Sequence, residues 1–285
     1  MGRMGEPLIY NLASVFVALF GNVVKKIEYD LVVRQPFAFS LQKAFEFAAD
    51  EHERLDIKRL VFIEFGVASG AGLLNICRIG EALSRHYGVD WRVIGFDTGE
   101  GMPRPVDYRD HPEKYLDGDF VPRDNEALQR SLPANAQIIY GPIADMIGSL
   151  DTHLQLGDVV GFVSIDVDYW SSTKDCMRLF DNPTLSFLPR TPVYLDDFNN
   201  IDHHPYAGEL LAVAESNQEH EQTKLAKMNQ IRNWRLFKNA LWLDQLYWYL
   251  DLEHRHFTRG YHAQRARTEL SNPYLRMKAE HHAGP

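Results

Sequence analysis

The sequence predicts an α/β protein built on a doubly wound, mostly parallel sheet, and three observations carry that prediction. Five short apolar runs, rich in β-branched and aromatic residues, recur through the middle of the chain. Strands buried on both faces read this way. The segments between the runs are long enough for crossover helices. Acidic residues stand at the carboxyl ends of four of the five runs, where open parallel sheets bind their ligands.

The elements follow in order. Residues Leu8 to Val24 (LIYNLASVFVALFGNVV) are apolar but short for a membrane span and interrupted by Asn11, Ser14 and Asn22. Only Arg3 precedes them as a basic flank, with no small-residue cleavage site. This stretch is expected to be an amphipathic helix packed on the domain or on a second subunit, with no membrane span. A second helix is expected over Ser40 to Arg54, with Leu41, Ala44, Phe45 and Ala48 on one stripe. Together these make a helical N-terminal extension, residues 1–55.

The expected strands are Leu60 to Phe65, Trp91 to Phe96, Gln137 to Tyr140, Val159 to Ile165 and Pro192 to Leu195. A helix after the first strand puts Leu73, Ile76, Cys77 and Leu83 on one face, and Asn75, Arg78, Glu81 and Arg85 away from it. Another is expected from Gly208 to Asn217. The polar stretch Asp107 to Tyr115 lies in a long connection at the carboxyl edge and is a candidate lid. For Leu241 to Leu252 (LWLDQLYWYLDL), periodicity leaves strand and helix open. The sheet domain is placed at residues 56–260 and a loosely ordered polar tail at 261–285.

The bulk numbers bound the function. A net charge of -9 over 285 residues, with no clustered Lys and Arg, excludes a broad nucleic-acid surface. Cys77 and Cys176 form no metal or redox spacing and suit a reducing cytoplasm as small buried groups.

The chemistry lies at the strand ends. The first turn reads Glu64-Phe65-Gly66-Val67-Ala68-Ser69-Gly70-Ala71-Gly72. It has neither the dinucleotide spacing GxGxxG nor the P-loop spacing GxxxxGK[ST]. An acid before the turn repels a phosphate and suits an amino group. The second strand ends in Asp97-Thr98, placed to bind ribose hydroxyls. The two features describe an adenosine ligand without phosphate, and S-adenosylmethionine fits. The fourth and fifth strands run into Asp166-Val167-Asp168 and Asp196-Asp197. Neighbouring carboxylates in a dry cleft need compensation, which a hard divalent cation supplies through oxygen ligands. Mg²⁺ is expected, with Mn²⁺ and Ca²⁺ as alternatives. Methyl transfer to a hydroxyl needs the oxygen deprotonated and held in line, which a carboxylate base and a metal accomplish.

The stretches EFGVASGAG (64–72), GFDTGEGMP (95–103), DGDF (117–120), SIDVDYWSSTKD (164–175) and YLDDF (194–198) resemble the class I S-adenosylmethionine-dependent methyltransferases. More narrowly, they are similar to the macrocin O-methyltransferase-like group. The resemblance covers roughly residues 60 to 215. It implies a seven-stranded Rossmann-like sheet and methyl transfer to a hydroxyl of a small molecule, a sugar or natural product. It implies metal ligands at Asp166, Asp196 and Asp197, with Asp168 as general base. It sets the cofactor against Glu64, Gly66, Ala68, Ser69, Gly70, Asp97 and Thr98. Asp166 stands at the cofactor's edge, and Gly141, Pro142 and Ile143 lie near the adenine. Lys174 is the rival base by analogy with catechol-type enzymes, though its spacing from Asp166 differs from theirs. The chain departs from the family at Ala68, Ser69 and Gly99 and in its last seventy residues, which bears on the acceptor more than on the cofactor. His203 and His204 follow the aspartate pair as candidate acceptor contacts or an extra base. The expected protein is a cytoplasmic homo-oligomer. The alternatives are a metal-dependent hydrolase or sugar-modifying enzyme, and a non-catalytic subunit retaining the fold.

Overall fold

The computed structural model describes residues 6–197, 203–258, 260 and 269–271. The expected polar tail therefore lies almost wholly outside the described residues. The chain groups into two compact units, Met1–Leu252 and Glu253–Pro285.

Seven strands form one sheet: β1 (Arg59–Phe65), β2 (Asp90–Asp97), β3 (Ala136–Tyr140), β4 (Asp158–Ile165), β5 (Arg190–Leu195), β6 (Thr223–Lys227) and β7 (Leu246–Asp251). Their order is β3-β2-β1-β4-β5-β7-β6. The first five are parallel, and β7 runs antiparallel between β5 and β6. This is the doubly wound, mostly parallel sheet expected from the sequence, with the chain reversing direction across β1. The central β4 is buried along its whole length. At the amino ends of the strands, Arg59 grips Asp158 through two hydrogen bonds of 2.9 and 2.7 Å, fastening β1 to β4 on the side opposite the acids.

The helices are α1 (Leu8–Phe20), α2 (Val23–Glu28), α3 (Gln35–Leu55), α4 (Ala71–Tyr87), α5 (Asn125–Ser131), α6 (Ile143–Met146), α7 (Trp170–Met177) and α8 (Gly208–Glu219). Helices α3 and α4 pack together against β1, β2, β4 and β5, while α7 joins α6 and α8. Aromatic pairs fill the α3 side, Phe37 on Phe162 at 5.4 Å and Phe45 on Phe62 at 5.7 Å. The buried core cluster at the sheet's centre includes Ile63, Phe65, Phe96, Ile165, Cys176 and Leu195. Helix α4 ends at Gly88, whose left-handed conformation (φ +71°) lets its N–H return to the carbonyl of Ser84.

Four elements differ from the sequence reading. Helix α3 starts five residues early because Pro36 fits a first helical turn, where its missing N–H costs nothing. The N-terminal stretch breaks at Gly21-Asn22, where Asn22 caps α2 by accepting from the Lys25 N–H at 2.9 Å. Leu241 to Leu252 divides into a 3₁₀ turn and strand β7. The unanticipated β6 (TKLAK) is a polar edge strand whose lysines protect an open edge.

Helix α1 buries Ser14 and sets the ring of Tyr10 on Phe237 at 6.5 Å. Leu8, Ile9, Leu12, Val15, Phe16, Leu19 and Phe20 stay 62–74% exposed. No described helix is long and apolar enough to cross a membrane.

Candidate active site

The turn after β1 is built by glycine. Gly66 sits at φ +82°, and a Cβ there would lie 1.8 Å from the carbonyl oxygen of Asp166. Only glycine lets the ends of β1 and β4 come this close. Glu64 is 2% exposed beneath the turn, so near that a Cβ on Gly72 would meet its Oε1 at 1.8 Å. Its Oε2 has no hydrogen-bond partner. Burial holds the Glu64 carboxyl well above the usual carboxylate range, and the charge of Arg34 pulls the other way.

Asp97, at the end of β2, clamps two loops. Its Oδ2 accepts from the Ala68 N–H and its Oδ1 from the Gly99 N–H, both at 2.7 Å. Its carbonyl accepts from the Gly141 N–H at 2.9 Å, tying in the third loop. A cleft of about 600 Å³ opens beside this clamp. Gly66, Ala68, Asp97 and Thr98 form one wall, Pro142 and Ile143 a second, and Asp166, Asp168 and Asp196 the far end. Four expected cofactor residues lie off that wall. Glu64 is underneath, and Gly70 meets the side chain of Leu128. Gly141 shapes the turn, and Ser69 faces a neighbouring hollow of about 420 Å³.

The aspartates divide unequally. Asp166, Asp168 and Asp197 each present an oxygen within 4.8 Å of the others. Asp196 lines the cleft, but its carboxylate accepts a short hydrogen bond from the Tyr194 hydroxyl. The expected ligand set and this trio therefore share Asp166 and Asp197 and exchange Asp196 for Asp168. Burial, with repulsion from Asp196 and Asp168, raises the Asp166 carboxyl to about 8. Burial and the neighbouring Asp168 do the same to Asp197, also to about 8. An all-oxygen donor set held at that cost suits a hard divalent cation, which would neutralise the repulsion. Asp168 itself adopts φ +59°, a left-handed conformation that aspartate tolerates better than most residues.

Several further groups surround the trio, of which Glu209 escaped the sequence reading. Glu209, in the first turn of α8, accepts from the Asp197 N–H at 3.1 Å and is 1% exposed. Burial and Asp197 raise its carboxyl well above the usual range. The Tyr115 hydroxyl reaches Asp197 at 3.5 Å, and burial raises its phenol. His203 stands 3.9 Å from Asp197 and accepts from the Lys114 ammonium at 2.8 Å. Burial and the charges of Lys114 and His111 lower its pKa. His111 stacks on it at 5.1 Å and meets His204 at 5.5 Å. The histidine pair following the two acids was singled out from the sequence, whereas nothing local marked Glu209.

The candidate lid, Asp107 to Tyr115, contributes no residue to the cleft lining; the segments on either side of it do, through Met102, Pro103, Arg104, Val106 and Phe120. Asp110, fully buried, pins it: the carboxylate accepts from the Ser171 N–H, the Ser171 hydroxyl and the Val106 N–H, each at 2.8 Å. Arg109 lies 3.4 Å above the ring of Trp170. Lys174 points elsewhere and pairs with Glu219 at 2.8 Å and Glu215 at 3.6 Å.

No protein-family model and no curated protein matches the chain. Among solved structures, it is similar to the calicheamicin methyltransferase CalS11, at 19% identity over 63% of this chain and 73% of that one, with a TM-score of 0.46. A second CalS11 structure, the apo form of a TDP-rhamnose 3′-O-methyltransferase, gives 18% identity over the same shares and a TM-score of 0.38. The plantazolicin methyltransferase BpumL, in complex with a desmethyl analogue and S-adenosylhomocysteine, gives 9% over 92% and 84% and a TM-score of 0.32. These are distant likenesses; the strand order and the strand-end geometry above are the chain's own.

Proposed function

We propose that the protein is an S-adenosylmethionine-dependent O-methyltransferase acting on a hydroxyl of a small molecule, with a divalent cation assisting. The observation that carries this reading is the Asp97 clamp beside the glycine turn, opening on a cleft that ends at Asp166, Asp168 and Asp196, the first two converging with the buried Asp197. Its volume, about 600 Å³, falls within the range of small-molecule sites. Asp97 has lone pairs left for ribose hydroxyls after its two backbone contacts. Pro142 and Ile143 offer an apolar wall for the adenine.

Asp166 and Asp197 would hold the cation, which supplies polarisation of the acceptor hydroxyl. Asp168 takes the acceptor proton. S-adenosylmethionine, when bound, would supply the methyl group from its sulfonium, the C–S bond breaking as the C–O bond to the acceptor forms. Met102, Val106 and Phe120, which flank the lid and line the cleft, would exclude water from the sulfonium. The closeness of Asp168 to both other carboxylates favours a second reading in which it is the third ligand. Asp196 would have to share its carboxylate with Tyr194 to serve there.

Titration calorimetry with S-adenosylhomocysteine, with and without Mg²⁺, tests the reading; no binding under either condition refutes it. Asp168→Asn separates the two roles. As base, it loses turnover and keeps Mn²⁺ affinity; as ligand, it loses both. We also propose that the exposed apolar face of α1 packs against a second copy of the chain. Sedimentation of wild type and Leu12→Glu, expected as oligomer and monomer, checks this.

A further inference from the structure

We propose that Arg34 holds the carboxylate of the cofactor's amino-acid tail, an assignment that rests on the methyltransferase reading above. Helix α3 leads directly into β1 and packs on β1, β4 and β5. Running opposite to β1, it sets its first residues at the carboxyl edge of the sheet, beside the acid-lined end of the cleft. The guanidinium of Arg34 lies 5.2 Å from the ring of Phe37. That ring meets Tyr194 at 5.1 Å, and the Tyr194 hydroxyl reaches Asp196. A short chain of contacts thus fixes Arg34 over the ends of β4 and β5.

The charges there are one-sided. Glu64, Asp166 and Asp196 stand at this edge, at the ends of β1, β4 and β5. Arg34 stands close enough for its charge to favour the ionised form of Glu64. Its side chain forms no hydrogen bond or ion pair with any described residue, although it is half-buried. A planar fork of five donors is left with only a ring face to touch. The residue is held at φ +51° and starts a 21-residue helix, whose dipole favours an anion at that end.

S-adenosylmethionine brings a zwitterionic tail. Its ammonium suits the acids, with the unpartnered Oε2 of Glu64 beneath the turn. Its carboxylate would be repelled by Glu64, Asp166 and Asp196; Arg104 reaches the cleft from the segment after β2, and Arg34 is the cation on the α3 side that can accept it, through paired N–H···O bonds.

The test measures affinity for two ligands by calorimetry: S-adenosylhomocysteine, and S-adenosyl-3-thiopropylamine, which keeps the ammonium and lacks the carboxylate. Wild type should prefer the first by about ten- to a hundredfold, the range for a charged hydrogen-bond pair. Arg34→Met should abolish that preference by weakening only the first ligand, and Arg34→Lys should restore part of it. Equal wild-type affinity for the two ligands overturns the assignment, even if Arg34→Met fails to fold. So does an Arg34→Met protein that loses affinity for both alike. A wild type that binds neither refutes the methyltransferase reading itself.

Discussion

The carboxylate cluster makes the stability of the metal-free protein fall as pH rises. An ordinary aspartate ionises near 3.9 in an unfolded chain, whereas Asp166 and Asp197 reach about 8 in the fold. Below pH of about 4 both states are protonated and nothing is lost. Between about 4 and 8 the folded protein holds protons that the unfolded chain has released, so each rise in pH favours unfolding. One such proton contributes about 1.4 kcal/mol per pH unit. Asp166 and Asp197 share one cluster and are coupled, so one net proton is counted for the pair. From pH 5 to pH 7 that is about 2.7 kcal/mol, or a Tm lower by about 5–11 °C for a domain of this size. Glu64 and Glu209 are raised in the same direction and add to the slope, so the informative quantity is a difference. Thermal unfolding across pH should be markedly flatter for an Asp166→Asn, Asp197→Asn double variant than for wild type. Saturating Mg²⁺ should flatten the wild-type curve as well, because a bound cation favours the ionised forms. Parallel Tm–pH lines for wild type and double variant would refute the reasoning.

Two further outcomes follow from the same geometry. Gly66→Ala combines a forced left-handed conformation with a Cβ 1.8 Å from the Asp166 carbonyl. It should cost more than about 2 kcal/mol, read by urea denaturation, and abolish binding of S-adenosylhomocysteine. Asp110→Ala strands the Ser171 and Val106 N–H groups, at about 1–3 kcal/mol for each donor left buried. Hydrogen exchange should rise across residues 103–121 while the sheet stays protected; an unchanged lid would show that Asp110 does not pin it.

Much of the fold was legible because parallel strands buried on both faces leave continuous apolar runs, as Val159 to Ile165 does. The antiparallel end of the sheet was not. Strand β6 has one buried residue, Leu225, and β7 shares an aromatic run with a 3₁₀ turn, so neither carries a clean period. At the site, the acids of β1, β2 and β4 could be placed because a strand end fixes where its next residue goes. Asp196 and Asp197 show the limit. Adjacent residues at one strand end point apart, and Tyr194, two residues upstream, takes Asp196 while Glu209 and Tyr115 surround Asp197. Sequence spacing does not reveal which of two neighbours a distant helix will meet. Arg34 was hidden for a related reason: nothing local marks a residue two positions before Pro36 as belonging beside a strand that begins 25 positions later.

The charge balance of the cleft also bears on turnover. On the proposed reading, the cofactor enters with a positive sulfonium and leaves as a neutral thioether. A sulfonium roughly 8 Å from one ionised carboxylate, at an effective dielectric of about 20, gains about 2 kcal/mol that the product lacks. The metal-free protein should therefore bind S-adenosylmethionine about thirtyfold more tightly than S-adenosylhomocysteine, a preference that weakens with added salt. A divalent cation on Asp166 and Asp197 would add two positive charges and displace the one net proton these acids hold, a net gain of about one positive charge, so Mg²⁺ should narrow the ratio. Paired calorimetric titrations of the two ligands, with and without Mg²⁺, give it directly. A ratio that Mg²⁺ leaves unchanged would mean that the aspartates act on the acceptor alone and that their charge does not reach the sulfur.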